Sequence, residues 1–152
     1  MGFSIKGLII VAIIFAPNLL MFILPPKSIP QNIKDDGPIF TVLERIGQAA
    51  CFILVIMSKE NFESATYNIW FVLMSLCIGI YYCLWIRYIV KGREFSFLFK
   101  PLSFIVIPMA IFPVVAFGFM AIWVKSIWIG IAVSIFAIGH FANSWSNYKY
   151  TI

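Results

Sequence analysis

What most constrains this chain is the recurrence of apolar runs long enough to cross a bilayer. Five stand out: Gly7 to Leu24, Ile39 to Met57, Ile69 to Ile86, Leu102 to Val124, and Ile127 to about Trp145. An α-helix rises ~1.5 Å per residue and the hydrocarbon core is roughly 30 Å thick, so each run is a candidate span. The last two are separated only by Lys125 and Ser126. As a single helix, Leu102 to Ala142 would extend about 60 Å, twice the core thickness, so the spacing predicts a tight hairpin. With 62% hydrophobic and 11% charged residues the chain cannot cover a water-facing surface. Soluble enzymes, nucleic-acid modules and secreted disulfide scaffolds are thereby excluded. The expected fold is all-α: a polytopic integral membrane bundle of five transmembrane helices, forming one transmembrane domain over residues 1–152.

The first run is expected to be a retained span rather than a cleaved leader, because no small residue stands three before Ala16 as a cleavage site requires. The net charge of +5 sits mainly at span ends and serves as a topology signal. Lys27, Lys34, Arg45, Arg87, Lys91, Arg93, Lys100 and Lys149 fall on one side of a five-span chain, against Lys6, Lys59 and Lys125 on the other. The positive-inside rule then places the N-terminus outside and the C-terminus in the cytoplasm of a multi-pass cell-membrane protein. Cys51, Cys77 and Cys83 lie in apolar runs without CxxC spacing, which predicts small buried thiols rather than disulfides or a metal site.

The second run carries the most informative polar residues. From Ile46 to Met57 it is uncharged for only 12 residues, about 18 Å, so Glu44 and Arg45 are drawn into the membrane zone. Thr41, Glu44, Gln48, Cys51 and Ser58 recur at helical spacing and form one stripe, which should face protein or a water-filled cavity. An ionised carboxylate in hydrocarbon costs several kcal/mol, so Glu44 should find a partner on another helix. In the third run Asn68, Ser75, Gly79 and Tyr82 suggest a second inward stripe ending at Arg87, while the cluster Tyr81, Tyr82, Trp85 and Tyr88 is most simply an interfacial belt. Pro108 and Pro113 should kink or open the fourth helix, and Asn18 after Pro17 gives a weaker signal of that kind. His140 is the only histidine and can exchange a proton near neutral pH. Ser126, Gly130 and Ser134 beside it form a small-residue face suited to close packing in the bundle or in a dimer.

Alternate spans run in opposite directions, which gathers these residues on one membrane side. Asn18, Glu44, Gln48, Tyr82, Arg87, His140 and Asn143 all fall in that half, predicting a one-sided polar pocket roofed by the Pro25, Pro26 and Pro30 loop. Within it Glu44 could pair with Arg87 or with His140. There is no HExxH, GxSxG, P-loop or GxGxxG pattern, and no cofactor is expected. The expected function is a small non-enzymatic membrane protein binding a small molecule, lipid or ion, as a carrier or as an accessory subunit. The alternative is a membrane enzyme acting on a lipid or prenyl substrate at the cytoplasmic interface, with Glu44 as general base and His140 as proton carrier. The expected partners are the lipid bilayer and, through the Ser126, Gly130, Ser134 face, a second copy or a larger membrane complex, with no nucleic acid.

Overall fold

The computed structural model describes residues 2–29 and 37–150, so Pro30, Lys34, Asp35 and Asp36 of the first loop lie outside the described residues. Among those described, the chain is all-helical, with no strand longer than an isolated bridge. Its helices are α1 (Ile5–Ile23), α2 (Pro38–Ile56), α3 (Lys59–Ser64), α4 (Ile69–Val90), α5 (Ser96–Phe99), α6 (Pro108–Trp123) and α7 (Ile127–Lys149).

Local chemistry sets these ends. The Ser4 hydroxyl accepts from the Gly7 N–H at 3.0 Å, the Asn68 side chain from the Trp70 N–H at 3.0 Å, and the Ser126 hydroxyl from the Ile129 N–H at 3.4 Å. Each satisfies a donor that the first helical turn leaves free. Pro38 and Pro108 open α2 and α6, where a missing N–H costs nothing. Pro108 therefore begins a helix instead of kinking one. It also holds Ile107 out of the helical region, at φ −125° and ψ 64°. The stretch expected to start the fourth span at Leu102 is accordingly a turn, in which Leu102 and Ile105 exchange backbone hydrogen bonds at 2.9 and 3.0 Å.

Four helices, α1, α2, α4 and α7, are long and apolar enough to cross a membrane. The 16 residues of α6 reach only about 24 Å. That helix is also the most enclosed, with Ile122 its only exposed residue, as expected of a helix that is apolar all round. Neighbours pack in the order α1, α2, α7, α6, α4, and α4 returns to α1. Val11, Ile14, Cys51, Val55, Phe117, Met120, Ile129 and Phe136 fill the core, while Leu19, Phe22, Ile46, Val72, Leu76 and Ile138 point outward from the long helices. Cys51 and Cys77 are buried, but Cys83 is exposed.

Two seams hold the bundle at close range. At one end the Gly2 N–H donates to Met57 O and the Ser4 N–H to Ile56 O, and Gly7 lies against Val55 O, which binds the start of α1 to the end of α2. The second seam joins α2 to α7. A methyl at Gly47 would meet the Phe136 backbone, and one at Gly139 would meet the backbone of Glu44 and Phe40. By contrast, Gly130 has open space around it, and the exposed Ser134 hydroxyl donates to Gly130 O within its own helix at 2.9 Å. The small-residue face, expected to pack in the bundle or in a dimer, is thus not in close contact with another helix of the bundle at Gly130. The close approach occurs at Gly139 instead, beside His140.

Candidate functional site

The α2–α7 seam fixes the principal polar cluster. Because Gly139 lets the two backbones touch, Glu44 on α2 faces the next residues of α7. Its Oε1 lies 2.6 Å from His140 Nδ1, and its Oε2 accepts from Asn143 Nδ2 at 2.5 Å. His140 and Asn143, three residues apart on a helix, share one face and hold the carboxylate at both oxygens. Of the two partners open to Glu44, the fold supplies His140. A neutral imidazole in this pair donates its Nδ1 proton to the carboxylate and keeps a lone pair on Nε2, which has no hydrogen-bond partner among the described residues. Phe136 stacks on the ring with centroids 4.9 Å apart. Both Glu44 and His140 side chains remain 25% exposed, so the pair is reachable from the space beside it.

That space is a cavity of about 260 Å³ between the helices. Phe15, Asn18 and Met21 line it from α1, Glu44 and Gln48 from α2, Tyr81 and Trp85 from α4, Met109, Ala110 and Pro113 from α6, and Phe136, His140 and Ser144 from α7. Leu98 and Phe99 of α5 complete the wall. Phe15, Gln48 and Phe136 lie near the middle of their helices, so the cavity reaches mid-height in the bundle. Glu44 is its only acidic residue, and no Lys or Arg lines it.

Proline shapes two of these walls. Pro17 has no N–H to offer the Ile13 carbonyl one turn back, and the Tyr82 hydroxyl donates to that carbonyl at 2.7 Å. Pro113 likewise leaves Met109 O without its helical donor, with both residues on the cavity wall. Two further tyrosines bridge α4 to α1: Tyr81 donates to Asn18 Oδ1 at 2.5 Å and Tyr88 to Leu24 O at 3.1 Å. Among the described residues, the buried Trp85 Nε1 has no hydrogen-bond partner.

The residues singled out from the sequence therefore divide. Asn18, Glu44, Gln48 and His140 line the cavity, and Asn143 touches it through Glu44. Tyr82 does not: its hydroxyl is spent on the carbonyl that Pro17 frees. Nor does Arg87, whose guanidinium lies over the Phe97 ring at 5.4 Å, with Lys100 over the same ring at 4.7 Å. The stripe read on the third span faces outward, since Asn68, Ser75 and Gly79 are exposed. Ser75 has no need of the interior because it donates to Phe71 O in its own helix. Met74, Cys77, Tyr81, Leu84, Trp85 and Tyr88 turn inward instead, so the presumed interfacial aromatics Tyr81, Trp85 and Tyr88 are core residues, and the first two are cavity walls. Their spacing of three and four residues is the signal that marks this face.

Among the described residues, no group of three or more His, Cys, Asp or Glu is placed to hold a metal ion. No protein-family model, curated protein or solved structure matches the chain.

Proposed function

We propose that this chain is a small non-enzymatic membrane protein that holds a small molecule in the α1–α2–α4–α6–α7 cavity, as a carrier or as the binding subunit of a larger assembly. One observation carries this reading: an amphipathic cavity, walled by every long helix and by α6, extends from one end to mid-height. In this reading α6, lengthened by the turn before it, crosses with α7 as a hairpin, giving five spans. The lysines and arginines then place the N-terminus outside and the C-terminus in the cytoplasm. The outward Ser126, Gly130, Ser134 face is available to a second copy or another membrane protein.

A second reading rests on the 2.6 Å contact between Glu44 and His140 beside that cavity. A carboxylate that orients an imidazole leaves its other nitrogen poised as a general base, the arrangement a lipid-modifying enzyme needs. Native mass spectrometry of protein released from nanodiscs separates the readings. Wild type should retain a small molecule that the cavity-filling variant Ala110→Phe, folded by circular dichroism, does not. A carrier returns that molecule unchanged after incubation, whereas an enzyme returns a product of altered mass. Identical adducts on both proteins would overturn the cavity as a binding site.

A further inference from the structure

The charge inside the cavity does not balance. Glu44 is the only formally charged lining residue when His140 is neutral, and nothing else on the wall carries a compensating cation. The titratable and charged groups around the pair are few. Phe15, Asn18 and Met21 of α1 carry none, α4 contributes Tyr81, and α5 and α6 contribute no ionisable side chain to the wall. On α2, the adjacent Arg45 projects about 100° away and is exposed, so its charge reaches Glu44 through space from outside the lining without pairing with it. On α7, His140 is the only ionisable residue of the wall. Arg87 and Lys100 are held over Phe97, outside the lining. The lining itself offers Glu44 no fixed positive charge, and a proton on His140 Nε2 can supply one.

A bound cation can supply it equally well. Phe15, Tyr81, Trp85, Phe99 and Phe136 present aromatic rings, whose faces attract organic cations. Met109 and Pro113 lie on the same wall, where the proline leaves the Met109 carbonyl without its helical donor. Both Glu44 oxygens are already engaged by His140 and Asn143. A ligand that needed a hydrogen bond from the carboxylate would have to displace one of them. A quaternary ammonium group needs none, requiring only nearby negative charge and aromatic faces. We propose, resting on the cavity-binding reading above, that the occupant is a small monovalent organic cation of the ammonium class, whose binding competes with one proton at His140 Nε2. At about 260 Å³ the cavity lies just below the usual ~300–1,000 Å³ of small-molecule pockets, which limits the cationic group to a compact one.

The sign of the pH effect follows from the competition. Where His140 is protonated, the cation must expel that proton, so affinity rises with pH and levels off once the imidazole is neutral. Calorimetry of benzyltrimethylammonium with the full chain in non-ionic maltoside micelles tests this, with the neutral isostere neopentylbenzene as comparator. Wherever His140 carries that proton, binding should weaken as the pH falls and release close to one proton, read from two buffers of different ionisation heat. His140→Gln should lose the proton release that its imidazole gives in wild type. Glu44→Gln should bind at least tenfold more weakly at every pH. If the isostere binds as well as the cation, the cation class is refuted while the cavity stands. If neither binds wild type, the inference fails, and the retention experiment above decides the cavity on its own. Should Glu44→Gln fail to fold, proton release in wild type against His140→Gln is sufficient to refute the competition.

Discussion

Gly139→Ala is the sharpest single perturbation of this fold. The added methyl would sit 2.5 Å from Phe40 O and 2.8 Å from Glu44 Cα, and nearer still to Glu44 N. These are backbone atoms of a packed helix and cannot swing aside as a side-chain tip would. Restoring ordinary contact, which begins near 3.4 Å, requires α2 and α7 to separate by about 1 Å at this level. The same displacement would stretch the Glu44–His140 contact from 2.6 Å to about 3.6 Å, beyond hydrogen-bond range. Overpacking costs about 1–3 kcal/mol, and loss of a charge-assisted hydrogen bond about 1.5–3 kcal/mol. A total near 3 kcal/mol or more should lower the melting temperature by roughly 6–12 °C for a chain of this size. Gly130→Ala is the internal control, because nothing lies within 4 Å of the position its methyl would occupy. It should be neutral, or stabilising by up to ~1 kcal/mol through helix propensity. Thermal unfolding in nanodiscs with 15N spectra of the lone imidazole reads both effects. If Gly139→Ala melts with Gly130→Ala and its imidazole resonances are those of wild type, the glycine seam does not hold the Glu44 cluster in place.

Two other outcomes bear on the sequence expectations. Tyr82→Phe should cost about 1 kcal/mol of stability, through the Ile13 carbonyl it leaves bare, and Arg87→Gln should be near neutral; neither should change benzyltrimethylammonium affinity more than twofold. A tenfold loss in either would place that residue in the binding wall. Five crossings require the termini on opposite sides of the membrane, so an N-terminal epitope should be reached from outside intact cells while a C-terminal fluorescent fusion reports the cytoplasm. Finding both on one side would mean that α6 does not cross.

The membrane class was legible in run lengths, and Glu44 in energetics, because a carboxylate that deep must be answered by another helix. The α2 stripe also reads correctly, with Thr41, Glu44, Gln48, Cys51 and Ser58 all buried or half-buried. On α4 the same rule misled. Polarity marks an inward face only when the group cannot be satisfied locally, and Ser75 is satisfied by its own helix, whereas bulky Tyr81, Trp85 and Tyr88 gain from filling the interior. The small-residue pattern likewise identified a candidate face without specifying its neighbour. Ser126, Gly130 and Ser134 are evenly spaced, yet Gly130 has open space around it and Ser134 is exposed, while single glycines at Gly47 and Gly139 make the contacts. What marked those two was proximity in sequence to the polar cluster, three residues after Glu44 and one before His140. Pro108 was misread for a simpler reason, since a proline breaks a helix in its interior and begins one at its first position.

The pairing of Glu44 with His140 also has a consequence in time. The two residues are separated by 96 positions, and α7 leaves the ribosome after the other six described helices. At ~5–20 residues per second, Glu44 enters the membrane roughly 5–20 s before its partner has been synthesised. During that interval a carboxylate near the lipid must stay protonated or linger at the interface beside Arg45. A chain stalled before α7 would carry this unanswered acid permanently, which gives membrane quality control a chemical mark for telling unfinished copies from finished ones.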